Sequence, residues 1–369
     1  MHRRAVLALA AGAATGCAAA EPIRPAQGIV AGGGLHARAA AKGLAFGAAV
    51  TTRHLAEPDM AAIIQAECGL LVAEYEMKWA ALEPQAGRRQ FRSADILVEF
   101  AHRHGMALRG HTLLWHESEP AWLGGLDARA TRAAMAAHVD ATVLRWRGAI
   151  GTWDVVNEAV APEDGRRDFL RHTRLLDRLG PDYIAEAFHL ARAADPSARL
   201  AYNDFGCEHA TLWSRRRRLG VLGLLRGLRA AGAPVQVLGV QAHLHAGQPF
   251  EAGEWQRFLA EVAALGLGIE VTELDVNDAA LPAATGLRDA ASAALVRRFL
   301  DATLAQPAVR AVVTWGLSDR HSWVRQGRLP EHRRRDGAEP RPLPFDEALR
   351  RKPMWSAIGG ALDAAAMRV

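Results

Sequence analysis

A (β/α)8 barrel, an α/β TIM-barrel fold built as one large domain, is the architecture this sequence predicts. Three observations carry the prediction. Half of the 369 residues are hydrophobic, enough for one large core. Eight short apolar runs, beginning near Leu44, Leu70, Met106, Thr152, Leu200, Val237, Leu267 and Val309, alternate with longer segments of helical spacing, as the strands and helices of a parallel barrel must. Nearly every run ends in polar or aromatic residues, and in a parallel barrel all those ends meet on one face.

Arg3-Arg4, an apolar run from Ala5 to Ala14 and small residues around Cys17 form an export signal too short to span a membrane. The twin arginines fit the Tat route. Gly16-Cys17 resembles the end of a lipoprotein box, with Ala14 where that pattern prefers leucine, so Cys17 is a candidate lipid anchor. Residues 1–20 therefore read as the signal, residues 21–42, Ala/Gly/Pro-rich and without hydrophobic period, as a linker, and residues 43–369 as the barrel. The expected location is periplasmic or extracellular, free or membrane-anchored. Inside the barrel, helix signals include Asp127 before Ala130–Trp146, Pro181–Ala194 ending at Asp195-Pro196, and Leu287–Leu304 ending before Pro307.

A formal charge of +5 arises from 45 basic and 40 acidic residues mixed along the chain. The basic runs Arg215–Arg218 and His332–Arg335 lack interleaved aromatics, so they read as solvated surface and no nucleic-acid partner is expected. Cys68 and Cys207 have no Cys or His neighbours at metal-site spacing, which leaves buried thiols or one disulfide and no metal site.

Chemistry concentrates in two strand ends. Gly151–Ala159 is a β-branched run finishing in Asn157-Glu158, and the run from Leu267 to Val271 leads into Glu273. Two glutamates on different parallel strands fit glycoside hydrolysis, in which one carboxylic acid protonates the leaving oxygen while a carboxylate meets the anomeric carbon. A negative neighbour raises the proton affinity of a carboxyl, which lets two identical side chains take the two roles. His243 can donate to Glu273 and Asp275 can orient its ring, with Gln241 and His243 on one strand face. Strict alternation sends Asn157 and Glu158 to opposite faces, so a shared site requires that strand end to bulge or turn. The other ends contribute Glu74 to Trp79, His111 to His116, Asn203 to Phe205 and Trp315 to Asp319. Ten Trp against three Tyr is lopsided. Trp79, Trp115, Trp315 and Trp323 fall near that face, where ring surfaces can stack on sugar C–H faces.

Five motifs make a resemblance specific. Arg-Gly-His-Thr-Leu-Leu-Trp-His at 109–116, Trp-Asp-Val-Val-Asn-Glu-Ala at 153–159, Gly-Val-Gln-Ala-His at 239–243, Thr-Glu-Leu-Asp at 272–275 and Thr-Trp-Gly-Leu-Ser-Asp at 314–319 resemble glycoside hydrolase family 10 endo-β-1,4-xylanases in kind and order. The resemblance runs from about Gly43 to Ile358. It implies a retaining, cofactor-independent enzyme acting on xylan or xylooligosaccharides as a monomer. Glu158 would be the acid/base and Glu273 the nucleophile, with Asn157, His111 and Lys78 binding the sugar beside the scissile bond. His243 with Asp275 would tune the nucleophile, Asp154 would support His111, and Trp115, Trp315 and Trp323 would line the glycone cleft. Glu74, Asn203 and Gln241 complete the implied substrate-binding set. Two positions depart from the pattern: Tyr75 and Ser118 stand where the family usually carries amides that bind the next sugar out. Alternatives left open are a hydrolase of another β-linked glycan, an inactive carbohydrate-binding relative and, remotely, a phosphate-handling barrel.

Overall fold

The computed structural model describes residues 33–327 and 329–368, so the signal and residues 21–32 of the linker lie outside the described residues. Among the described residues ten strands form: β1 (Ala45–Val50), β2 (Leu70–Ala73), β3 (Ala107–Gly110), β4 (Leu114–Trp115), β5 (Thr152–Asn157), β6 (Arg199–Asp204), β7 (Val237–Val240), β8 (His243–His245), β9 (Gly268–Asn277) and β10 (Val309–Thr314). Eight of them pair in parallel in the order β1-β2-β3-β5-β6-β7-β9-β10, and β10 pairs back onto β1, closing the barrel. Each expected apolar run begins beside one of these eight. The strands are nearly continuous apolar segments because both faces are covered, one by the barrel interior and the other by the helices. Gly47 admits the close approach of β1 to β2, since a Cβ there would lie 2.0 Å from the Leu70 carbonyl oxygen.

The two short strands extend the barrel upward at its mouth. β4 pairs with β5 at Leu114 and Trp115, and β8 pairs with β9 at His243 through His245. Helices between strands start where capping side chains satisfy their first amides: Asp127 accepts from Ala130 N at 2.7 Å, and Thr211 accepts from Ser214 N at 3.1 Å.

Several details differ from the sequence reading. A helix, Leu35–Ala40, occupies part of the segment read as linker. It is too short to show a period, and tertiary contacts hold it. Leu35 and Ala39 are buried, and Leu35 N donates at 2.8 Å to Glu67, which also accepts from Trp355 Nε1 at 3.0 Å in the C-terminal helix Pro353–Ala364. Trp79 belongs to the core, stacked on His138 at 4.3 Å. Arg217 and Arg334, read as solvated, are buried by their partners: Arg217 Nη2 meets Asp204 at 2.5 Å and Arg334 forks onto Asp336. Cys68 and Cys207 are buried free thiols, one of the two alternatives that the sequence leaves open.

Candidate active site

Strand β5 departs from regular pleating just where two polar side chains must converge. Its register against β6 shifts between Asp154 and Val156, and Glu158 adopts a left-handed φ of 59°. For a non-glycine residue that conformation costs about 1–2 kcal/mol, so the surroundings must hold it. Glu158 N donates to the Asn203 carbonyl at 2.8 Å, and the Glu158 carbonyl accepts from Arg171 Nε at 2.7 Å. The strand end therefore both bulges and turns, and Asn157 and Glu158 meet. Glu158 Oε1 accepts from Asn157 Nδ2 at 3.2 Å and from Gln241 Nε2 at 3.0 Å.

A second left-handed residue, Ala242 with φ 62°, redirects the chain between β7 and β8. Its amide donates to buried Glu208 at 2.9 Å. The turn sends Gln241 toward Glu158 and His243 toward Glu273. His243 Nε2 lies 3.3 Å from Glu273 Oε2, and its Nδ1 lies 2.9 Å from Asp275 Oδ1. Only the imidazolium can donate from both nitrogens. Burial opposes its charge, but Asp275 and Glu273 outweigh burial and hold His243 well above the usual histidine range. Trp323 Nε1 donates at 2.7 Å to the other oxygen of Asp275, fixing that carboxylate.

Burial pushes the Glu273 carboxyl up, yet the His243 hydrogen bond, the nearby His111 ring and the Asn203 amide together hold it below the usual carboxylate range. Asn203 Nδ2 donates to Glu273 Oε1 at 2.8 Å and to Asn157 Oδ1 at 2.9 Å, while its own oxygen accepts from Thr272 at 2.8 Å. Amides of Asn157, Asn203 and Gln241 thus form one network joining the two glutamates across the cleft.

The remaining expected residues stand around this pair. His111 Nδ1 is 3.1 Å from Asp154 Oδ2. Burial disfavours charge on Asp154, but Arg109 and then His111 hold it below its usual range. Lys78 Nζ sits 4.5 Å from the Trp115 ring centre and 5.7 Å from that of Trp315. Burial lowers its ammonium, opposed by the carboxylates of Glu273, Glu74, Glu158 and Glu117. Trp315 meets His111 edge-on at 5.2 Å, and Trp323 is 5.0 Å from His243. Glu74, at the end of β2, opens onto a polar cleft of about 310 Å³ lined also by Thr51, Arg53, Arg320 and Gln326. Tyr75 is 60% exposed, and Ser118 is buried. Glu117, which precedes Ser118, lies within the electrostatic reach of Glu158 and Lys78; partial burial and then Glu158 raise its proton affinity.

Sequence reasoning missed Arg171, Thr272 and the contacts of Arg109. Arg171 lies 13 residues from Glu158, with no strand or helix pattern to aim it back at that strand end, and Thr272, though inside the Thr-Glu-Leu-Asp motif, reads as an ordinary strand residue. Arg109 sits inside a quoted motif, but nothing in the string shows that its charge points inward.

Residues 34–361 match the sequence profile of glycosyl hydrolase family 10. The chain belongs to glycosyl hydrolase family 10. Among curated relatives, endo-1,4-beta-xylanase 3 of Hypocrea jecorina is 34% identical over 327 residues, 86% of this chain and 82% of the relative. Endo-1,4-beta-xylanase B of Thermotoga neapolitana is 33% identical over 299 residues, 80% and 81% of the two chains. Similar solved structures include native xylanase 10B from Thermotoga maritima, with TM-score 0.79, 29% identity and coverage of 90% of this chain and 98% of that one. Xylanase 10B from Thermotoga petrophila RKU-1 in complex with xylobiose gives TM-score 0.80 at 29% identity, with the same coverage. The barrel, the strand ends and the quoted motifs of this chain all fall within the span that the family 10 profile matches.

Proposed function

We propose that this family 10 glycoside hydrolase is a retaining endo-1,4-β-xylanase in which Glu273 is the nucleophile and Glu158 the acid/base. The observation that carries the assignment is the contrast between the two carboxylates. Glu273 is buried against an imidazolium and an amide that keep it ionised, whereas Glu158 is half-buried and accepts only from neutral amides. Glu273 attacks the anomeric carbon while Glu158 gives its proton to the leaving oxygen; Glu158 then takes a proton from water, which displaces Glu273 from the opposite direction. Two inversions give net retention. Lys78, His111 and Asn157 bind the hydroxyls of the sugar being cleaved, and Trp115, Trp315 and Trp323 offer ring surface. The endo-1,4-beta-xylanase activity of the relatives and the xylobiose bound by a structural neighbour support xylan and xylooligosaccharides as substrates.

Incubation with xylan, β-glucan and cellulose, with products followed by NMR, tests this reading. Release of β-anomers from xylan supports it; α-anomers at first release, or turnover confined to another glycan, would overturn it. Export through the segment 1–20, with lipid attached at Cys17, and action as a monomer belong to the same proposal. The first part rests on the order of charged, apolar and small segments. Cell fractionation with labelled palmitate, and sedimentation of the purified chain, test both.

A further inference from the structure

Beneath the two glutamates, one buried cation touches both strands that carry them. Arg109 on β3 is 1% exposed; its Nε donates to Asp154 Oδ2 at 3.0 Å, and its terminal nitrogens reach Asp154 Oδ1 and Glu270 Oε2. Asp154 shares β5 with Asn157 and leads to Glu158, and Glu270 shares β9 with Glu273. Glu270 is held from its other side by Arg199 Nη1 at 2.7 Å. The path of the guanidinium is cleared by Gly239 on β7, where a Cβ would lie 2.8 Å from Arg109 Nη2 and 2.2 Å from Asn203 Oδ1. Arg109 therefore runs directly under the amide that holds Glu273.

Stability alone is a poor reason for this arrangement, because well-packed apolar side chains often stabilise an interior as well as buried ion pairs do. What an apolar side chain could not supply is a fixed, ionised Asp154 facing His111. We propose that Arg109 is a positioning residue for hydrolysis, forking onto Asp154 to orient His111 and reaching Glu270 to hold the β5 and β9 ends in register beneath Glu158 and Glu273. The proposal rests on reading those glutamates as the reacting pair. The titratable and charged groups around Asp154 are Arg109 and His111 from the β3 side, with Glu270 of β9 bound to the same guanidinium and Arg199 of β6 bound to Glu270. Since the Asp154 carboxyl is held low, it should remain ionised through the whole working range.

Arg109→Lys keeps the charge and loses the fork. It should lower kcat/KM on xylan by about 30-fold or more, nearly all in kcat, and move the acidic limb of the profile upward while the protein still unfolds cooperatively. A folded Arg109→Lys within about threefold of the parent, with the acidic limb unmoved, would overturn the proposal. Should that variant not fold, the parent decides: the Asp154 carboxyl signal in a 13C-labelled sample should show no protonation step between about pH 8 and pH 4, and a step at or above about pH 4 would overturn it. Glu273→Ala, measured alongside, separates the two claims. If it keeps parental turnover, the reading of the pair fails; if it is inactive while Arg109→Lys is unimpaired, only the positioning role fails.

Discussion

Glu158 and Glu273 are the same side chain placed in two environments, and the residue scale is where their roles separate. Glu158→Ala removes proton donation to the leaving group, so turnover of xylan should fall by about 10²-fold or more while an activated aryl glycoside, whose leaving group needs little protonation, is still attacked. Glu273→Ala should be inactive on both. Equal losses on both substrates for the two variants would count against the assignment. His243 adds a pH signature. Its folded value is raised well above the usual one, so the stability it confers is complete below about pH 6.5 and is lost as pH rises through the folded value. His243→Gln should be less stable than the parent at pH 6 and should lose less on going to pH 9; parallel losses in denaturant unfolding would contradict the buried imidazolium. Glu158 and Glu273 were legible in the sequence because each is a polar group that follows an apolar run, although β9 continues past Glu273 to Asn277. Arg109 was not, since the direction of its side chain is set by carboxylates on β5 and β9, far away in the chain.

At the scale of elements, the eight apolar runs and their polar ends were readable because a strand covered on both faces leaves an unbroken apolar string. The short strands β4 and β8 were not readable, because two or three residues carry no period. Nor could the string show how Asn157 and Glu158 meet; it could show only that a regular strand would separate them. The left-handed turns at Glu158 and Ala242 supply that answer, and the second can be tested without touching a polar group. A β-branched side chain is strongly disfavoured at φ 62°, so Ala242→Val should cost about 2–3 kcal/mol in denaturant unfolding and lower kcat by displacing Gln241 and His243. Ala242→Gly suits the conformation and should change stability by less than about 1 kcal/mol. Equal effects of the two substitutions would show that the turn is not constrained.

Across the whole molecule, closure of the barrel brings the two ends of the described chain together. The helix Leu35–Ala40 lies against the C-terminal helix, and Arg368 N donates to the Lys42 carbonyl at 2.8 Å. A chain beginning at Gly43 would lose buried Leu35 and the amide that Glu67 accepts, and should be less stable than one beginning at Gly33 by about 2–5 kcal/mol. Matching unfolding curves would show that the helix is dispensable. Closure is also what brings Glu158, on the β5 side, together with Glu273 of β9, the pair proposed to carry out a double displacement. Trapping tests that most directly: a 2-deoxy-2-fluoro xyloside with a good leaving group, followed by digestion and mass spectrometry, should leave one fluoroxylosyl group on the peptide containing Glu273. A label on any other residue, or turnover of the reagent with no covalent adduct formed, would contradict it.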